Sequence, residues 1–168
     1  MATRTLQPTA NETPDTGQGG AAVTGNTNTG HGATTSSQVG AGATSKTCRW
    51  SGIGAAPAGS VISITLKADW TENGSITGAG TNLFRIQYST NGGGAWNTLI
   101  SHSNVTSASG PTTATQALST SQDLTQVQVR DLIQAAASGG GDSASITGTV
   151  ANILVEVVLV DGNILVMM

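Results

Sequence analysis

The sequence contains little charge, few aromatic residues and a single cysteine. Charged residues make up 9% of the 168 residues and aromatic residues 3%, whereas a typical globular chain carries about 25% charged residues. Because Cys48 stands alone, an internal disulfide is excluded, and we expect a small buried residue at this position. The composition therefore excludes a disulfide-stapled fold and a charged, disordered chain.

Basic residues are few and are scattered along the chain. Only six Lys and Arg residues are present, and the formal net charge is −3. Because no basic stripe is visible, we expect neither nucleic-acid binding nor docking on anionic lipid. No segment approaches the roughly 20 apolar residues of a membrane span, and the N-terminus shows no apolar region typical of a signal peptide.

Residue patterns that support catalysis or metal binding are also missing from the sequence. His31 and His102 have no Cys, His or acidic residues at the spacing of metal ligands, and we expect surface positions for both. No G-x-S-x-G sequence supplies a nucleophile, and the glycine runs 92–94 and 139–141 lack the Lys-Ser or Lys-Thr of a phosphate loop. We therefore expect a non-enzymatic protein with no catalytic residue, no metal site and no cofactor.

Glycine and small polar residues supply much of what is present, with 23 glycines in the chain. Thr and Val favour strands, and Gly and Asn favour turns. Residues 1–46 contain few substantial apolar side chains, which are Met1, Leu6, Val23 and Val39. Such a segment cannot bury enough apolar surface to offset its ordering entropy. We therefore predict an extended N-terminal arm over residues 1–46, ordered by neighbouring subunits, and a folded domain over residues 47–168.

From Cys48 onward, apolar residues recur with the period of two that is typical of half-buried strands. The alternation over residues 61–70 predicts one strand, and residues 84–88 predict another. The glycine turn at residues 91–94 joins the latter to a strand that follows Trp96, which predicts a hairpin. Further strands are predicted over residues 145–150 and 153–160. These features predict an all-β fold, an antiparallel β-sandwich or jelly roll.

Two other segments need a separate interpretation. Residues 123–137 fit both strand and helix periodicity, and we favour a strand over 124–130 followed by a short helical turn. Asp161-Gly162 lies between apolar runs, so residues 163–168 are predicted to return antiparallel as a C-terminal hairpin. Both faces of this hairpin are mostly apolar, which indicates burial by the fold or by a partner.

Three stretches resemble a known family of proteins. They are residues 50–64 (WSGIGAAPAGSVISI), 88–96 (YSTNGGGAW) and 150–157 (VANILVEV). Together they resemble turn and strand patterns of β-sandwich structural proteins of tailed-phage virions, over about residues 48–160. The resemblance implies a sandwich fold and a structural role in a virion.

Two functional hypotheses follow. The first is a structural subunit of a virion or extracellular filament, a homo-oligomer or a neighbour of other structural subunits, which assembles through its arm and its C-terminal hairpin. Assembly contacts are assigned to Thr24, Asn26, Asn28, Val39, Ile164, Leu165 and Val166. The alternative is a carbohydrate-binding or adhesive module that contacts surface glycans through an exposed Trp96.

Overall fold

The computed structural model describes residues 1–12, 23–24, 27–28, 31–37 and 42–160, with side chains for residues 1–10 and 42–160. Nearly all of these residues belong to strands or to the turns between them. The strands are β1 (Ala2–Leu6), β2 (Ala10–Glu12), β3 (Val23–Thr24), β4 (Thr27–Asn28), β5 (His31–Ser37), β6 (Gly42–Lys46), β7 (Arg49–Ser51), β8 (Val61–Thr77), β9 (Thr81–Ser89), β10 (Asn97–Ser103), β11 (Ser109–Leu118), β12 (Gln128–Ala137) and β13 (Asp142–Leu159).

Two antiparallel sheets pack against each other, which confirms the predicted all-β sandwich. Sheet A has the order β1-β13-β8-β11, and β5 also pairs with β13. Sheet B has the order β10-β9-β12-β7-β2, and β6 also pairs with β12. The short strands β3 and β4 pair only with each other among the described strands.

The core lies between the sheets and follows the period-two alternation of the sequence. On β8, the side chains of Ile64, Leu66, Ala68 and Trp70 are buried, while the alternate residues 65, 67 and 69 are only half-buried. Sheet B contributes fully buried side chains to the same core, among them Trp50 and Phe84. Burying such side chains is the main favourable contribution to folding, so the alternation both predicts and stabilises the sandwich.

The predicted strands over 145–150 and 153–160 form one continuous strand, β13. A register shift between Ala151 and Leu154 interrupts its pairing with β8. At this bulge Asn152 adopts a positive φ of 47°, and its side-chain amide donates a hydrogen bond to Asp69 Oδ2 at 3.0 Å. The break in the apolar pattern therefore marks a β-bulge instead of the end of a strand.

The prediction of a strand over residues 124–130 followed by a helical turn was wrong, because the two elements occur in the opposite order. A 3-10 turn, Leu124–Gln126, comes first, capped by the Asp123 side chain, which accepts from the Thr125 N–H. Strand β12 follows and pairs with β9 along nearly its whole length. The buried Asp131 lies on the inward face of β12, so a polar residue interrupts the apolar alternation and obscures the strand in the sequence.

Four of the six described strands in residues 1–46, which are β1, β2, β5 and β6, pair with strands from the rest of the same chain. β5 and β1 lie end to end along one edge of β13, where they pair with residues 142–148 and 155–159. β6 pairs with β12. β6 and β7 keep a common register on β12, because Lys46 pairs with Ile133 and Arg49 with Arg130. The predicted boundary at residue 46 falls within this pairing, and it stays a prediction because pairing alone does not test which part folds independently.

The predicted hairpin around the 91–94 turn is confirmed. β9 and β10 are antiparallel, and Asn97 pairs with Tyr88 next to the turn. From β10 the chain crosses to sheet A, where β11 forms the edge next to β8. The predicted C-terminal hairpin over residues 163–168 lies outside the described residues.

Candidate interaction surfaces

The sandwich has two lateral sides built from different parts of the chain. We call the side formed by β1, β2, β5, β6 and β7 the N-terminal side, and the opposite side, formed by β10 and β11, the β10–β11 side. On the N-terminal side, β5 pairs with residues 142–148 of β13 and β1 with residues 155–159. This pairing is made by main-chain groups, so it does not require apolar side chains.

A buried carboxylate holds the N-terminal side to β12. Asp131 is fully buried, and its Oδ1 accepts a hydrogen bond from the Cys48 N–H at 2.7 Å. The Asp131 N–H donates to the Cys48 carbonyl at 3.0 Å, and the Thr47 hydroxyl donates to the Asp131 carbonyl. Burial, with a further contribution from the charge of Asp131, raises the pKa of the Cys48 thiol to about 12. The thiol is therefore neutral at physiological pH.

Most of the predicted assembly residues lie outside the described part of the chain. Thr24 is in β3 and Asn28 is in β4, in the small two-stranded sheet in which Val23 pairs with Asn28. The others, Asn26, Val39, Ile164, Leu165 and Val166, fall outside the described residues. All seven assignments therefore stay predictions.

The loop that precedes Trp96 folds over the outer face of sheet B. Ser89 Oγ accepts from the N–H groups of Asn91 and Gly93, at 3.3 and 2.9 Å, and donates to Asn91 Oδ1 at 2.8 Å. Asn91 Oδ1 also accepts from the Ala95 N–H at 2.8 Å. This network covers Ser89 completely and fixes the backbone immediately before Trp96.

The predicted glycan platform, Trp96, is half-buried and has a charged neighbour. The guanidinium carbon of Arg130 lies 4.2 Å from the Trp96 ring centroid, which is a cation–π contact. Arg130 also donates from Nε to Gln87 Oε1 at 2.9 Å. Part of the indole surface is therefore already occupied by Arg130, and a role for Trp96 in glycan binding stays a prediction.

Three of the six basic residues converge around this contact, although the sequence separates them. Arg49 on β7 is the register partner of Arg130 on β12, and Arg130 in turn pairs with Gln87 on β9, two residues from Arg85. Burial first, and then the charges of Arg49 and Arg85, lower the pKa of Arg130. The expectation that the basic residues are scattered holds along the sequence but is wrong in space.

The β10–β11 side contains a second buried carboxylate. Glu72 is 6% exposed. The distance between Glu72 Oε1 and Nδ1 of His102, which is on β10, is 2.7 Å. The Trp70 and His102 rings are in edge contact, with centroids 4.9 Å apart. This pair ties sheet A to sheet B. The sequence alone did not predict this pair. The alternation of buried residues along β8 nevertheless continues to residue 72, and it places Glu72 on the inward face.

Within the described residues, no group of three or more His, Cys, Asp and Glu side chains is placed to hold a metal ion. The described part of the chain also contains no helix that is long and apolar enough to cross a membrane.

Neither a protein-family model nor a curated protein sequence matches this chain. The described strands define the class of the protein as an antiparallel β-sandwich. The resemblance to structural proteins of tailed-phage virions stays a prediction.

Proposed function

We propose that the chain is a non-enzymatic structural subunit of a virion or an extracellular filament, and that it assembles by exchanging N-terminal strands with neighbouring copies. One observation carries this proposal: β1, β5 and β6 complete the edges of β13 and β12 through main-chain pairing. Localisation in a virion or an extracellular assembly is part of the same proposal.

Main-chain pairing makes such an exchange nearly neutral in free energy. A strand presents the same N–H and C=O groups to a neighbour's sheet as to its own, so swapping identical elements is a common route to oligomers. Without their N-terminal partners, β12 and β13 would present open edges, which are templates for pairing with another chain. These strands are therefore suited to join subunits.

A second edge favours contacts between copies. β11 is ten residues long, contains no charged residue and is mostly exposed, and among the described strands it pairs only with β8. Natural edge strands are kept from associating by charges, proline, β-bulges or short length. β11 has Pro111 and a register shift between Ser109 and Thr112, so its regular, uncharged edge is confined to residues 112–118. An uncharged edge can face a second copy of itself without charge repulsion.

A carbohydrate-binding or adhesive module is the second candidate function. The observation that favours it is the partly exposed Trp96 beside three arginines on the outer face of sheet B. A flat indole offers a surface on which a sugar ring can lie.

A disulfide across β6 and β12 tests the exchange of strands. Ser45 and Gln134 are register partners, and both are exposed, with Gln134 Nε2 3.4 Å from Ser45 Oγ. We expect the double variant Ser45→Cys/Gln134→Cys, in a Cys48→Ala background, to form intrachain bonds in dilute monomers and interchain bonds in assembled material. Non-reducing gel electrophoresis separates the two. Oxidation of the monomer should block assembly, and a reductant should restore it.

The matched control places the disulfide where no exchange is proposed. Ser75 on β8 and Ser145 on β13 are register partners with their hydroxyl oxygens 2.8 Å apart, so Ser75→Cys/Ser145→Cys, in the same Cys48→Ala background, should give intrachain bonds and unchanged assembly. Assemblies of the first variant that contain only intrachain bonds between positions 45 and 134 would contradict strand exchange. If electron microscopy shows only monomers over a wide range of protein concentration and salt, the structural role itself is wrong.

A further inference from the structure

Like charges meet on the outer face of sheet B at a cost to stability. Arg49 and Arg130 are directly opposite on neighbouring antiparallel strands, an arrangement that is destabilising for two residues of the same charge. Arg85 adds a third positive charge within electrostatic reach of Arg130. The fold therefore concentrates positive charge on this face, and such a concentration attracts anionic partners.

Two of the three arginines are not neutralised within the described part of the chain. Arg130 donates to the neutral Gln87, and Arg85 donates to the hydroxyl of Ser101 at 3.2 Å. No described carboxylate forms a salt bridge with either guanidinium. The cluster therefore keeps an excess of positive charge.

The cluster is also held in a fixed geometry. Arg130 lies between the Trp96 ring and Gln87, and the hydrogen-bonded loop 89–95 sets the position of Trp96. Gly93 has a φ of 91°, and a Cβ there would lie 2.9 Å from Gln128 Oε1, 3.3 Å from an Arg49 guanidinium nitrogen and 3.6 Å from the Trp96 ring. The absence of a side chain at Gly93 lets the loop lie against these residues. Such preorganisation lowers the entropic cost of binding.

The neighbouring surface is neutral and grooved, and it exposes both apolar and polar side chains. Ser45, Leu83 and Gln134 line a shallow groove of about 260 Å³ on the same sheet. Leu83 is two residues from Arg85 along β9, so the groove and the arginines are adjacent on one face. A ligand that spans both must carry anionic groups at one end and hydroxyl or apolar ring surfaces at the other.

We propose that the outer face of sheet B binds an acidic polysaccharide, with Arg49, Arg85 and Arg130 pairing with its carboxylate or sulfate groups. The planar guanidinium fork matches such oxyanions with two parallel hydrogen bonds, and the exposed part of Trp96 lies against an adjacent sugar ring. A nucleic acid fits less well, because three cations neutralise few phosphates and the chain as a whole carries a net charge of −3. This inference rests on the second candidate function, carbohydrate binding, and does not depend on strand exchange, because the site lies on the face of sheet B.

Isothermal titration calorimetry with defined probes tests the proposal. The probes are an alginate oligosaccharide (carboxylates), a heparin oligosaccharide (sulfates), a dextran oligosaccharide of the same length (neutral) and a single-stranded DNA oligonucleotide. We expect one or both acidic glycans to bind and dextran not to bind. Arg130→Gln and Arg85→Gln should each weaken that binding by roughly tenfold or more, the effect of losing a charge-assisted hydrogen bond.

The matched control removes the same charge from the other sheet. Arg4→Gln on β1 leaves the cluster intact and should preserve affinity, while Arg130→Lys keeps the charge but loses the planar fork and should give an intermediate loss. Circular dichroism checks that each variant is folded. Binding to alginate alone or heparin alone supports the proposal and identifies the oxyanion. Equal losses in Arg4→Gln and Arg130→Gln, no binding of either acidic glycan, or equally tight binding of DNA would overturn it.

Discussion

The two lateral sides of the sandwich differ in how deeply their strands are anchored. On the N-terminal side, β7 has only three residues, yet Trp50 within it and Cys48 before it are 0% and 1% exposed. On the β10–β11 side, β11 has ten residues and only Ala114 is buried, while Ile100 on β10 is half-buried. The length of a strand therefore says little about how much it contributes to the core.

Each side also has its own buried carboxylate, and the two are satisfied differently. Asp131 accepts from a backbone N–H of the neighbouring strand within sheet B. Glu72 reaches His102 on the other sheet, and its Oε2 is buried without a hydrogen-bond partner among the described residues. The first contact holds strands within one sheet, and the second holds the two sheets together.

The largest expected effect comes from truncating the core of the N-terminal side. Trp50→Ala should lower the free energy of unfolding by about 4 kcal/mol, because a fully buried indole leaves a large cavity. Ile100→Ala, on the other side, should cost about 1–2 kcal/mol, because its side chain is only half-buried. Urea denaturation followed by far-UV circular dichroism measures both values. Equal losses would mean that the two sides are anchored to the same degree.

Variants that disrupt the two buried carboxylate contacts should lower the free energy of unfolding by intermediate amounts, which differ between the two sides. Asp131→Ala leaves the Cys48 N–H without its side-chain acceptor in a dry environment and should cost about 2–3 kcal/mol. His102→Ala should cost about 1 kcal/mol, because removing a partly exposed imidazole lets water reach Glu72. The same denaturation experiment compares them, with Asp131→Asn and Glu72→Gln as variants that keep the shape. A larger loss for His102→Ala would reverse the proposed order of the two anchors.

The last effect is absent at neutral pH and grows only above pH 9: it is a dependence of stability on alkaline pH that arises on the N-terminal side. The Cys48 thiol has a pKa of about 12 in the fold against an ordinary value of 9.0, so above pH 9 the unfolded chain loses this proton first. The stabilisation is fully present below pH 9 and is lost as the pH rises towards 12. We expect wild-type stability to fall more steeply over this range than that of Cys48→Ala, as measured by urea midpoints. Parallel curves would show that the thiol does not contribute.

The sequence predicts the strands whose signal is local. The alternation over residues 61–70 and the glycine turn at 91–94 predict β8 and the β9–β10 hairpin, because side-chain burial and turn chemistry are encoded within a few residues. The pairing of β1, β5 and β6 is not visible in the same way, because main-chain hydrogen bonds leave no pattern in the side chains. Asp131 was not predicted to be buried, because carboxylates are usually exposed and the sequence does not reveal its hydrogen-bond partner, the Cys48 N–H.

The candidate binding face could not be predicted for a different reason. Arg49, Arg85 and Arg130 lie on three strands that the fold brings together, and no spacing along the chain connects them. Only the register of β7, β12 and β9 places their side chains on one face. The alternation in burial does predict that each of them points outward, between inward neighbours, but it does not predict which strands are adjacent.

The pairing of β1 with β13 also has a consequence for the order of events during synthesis. Ala2 pairs with Leu159 and Leu6 with Val155, so the first of the described strands to be synthesised pairs with the last. At about 5–20 residues per second, about 8–30 seconds pass before its own partner is available. Contacts so distant along the chain also form slowly after release. During that interval a nascent subunit presents unpaired strands, and a neighbouring copy whose β13 edge is still open can be the first to meet them.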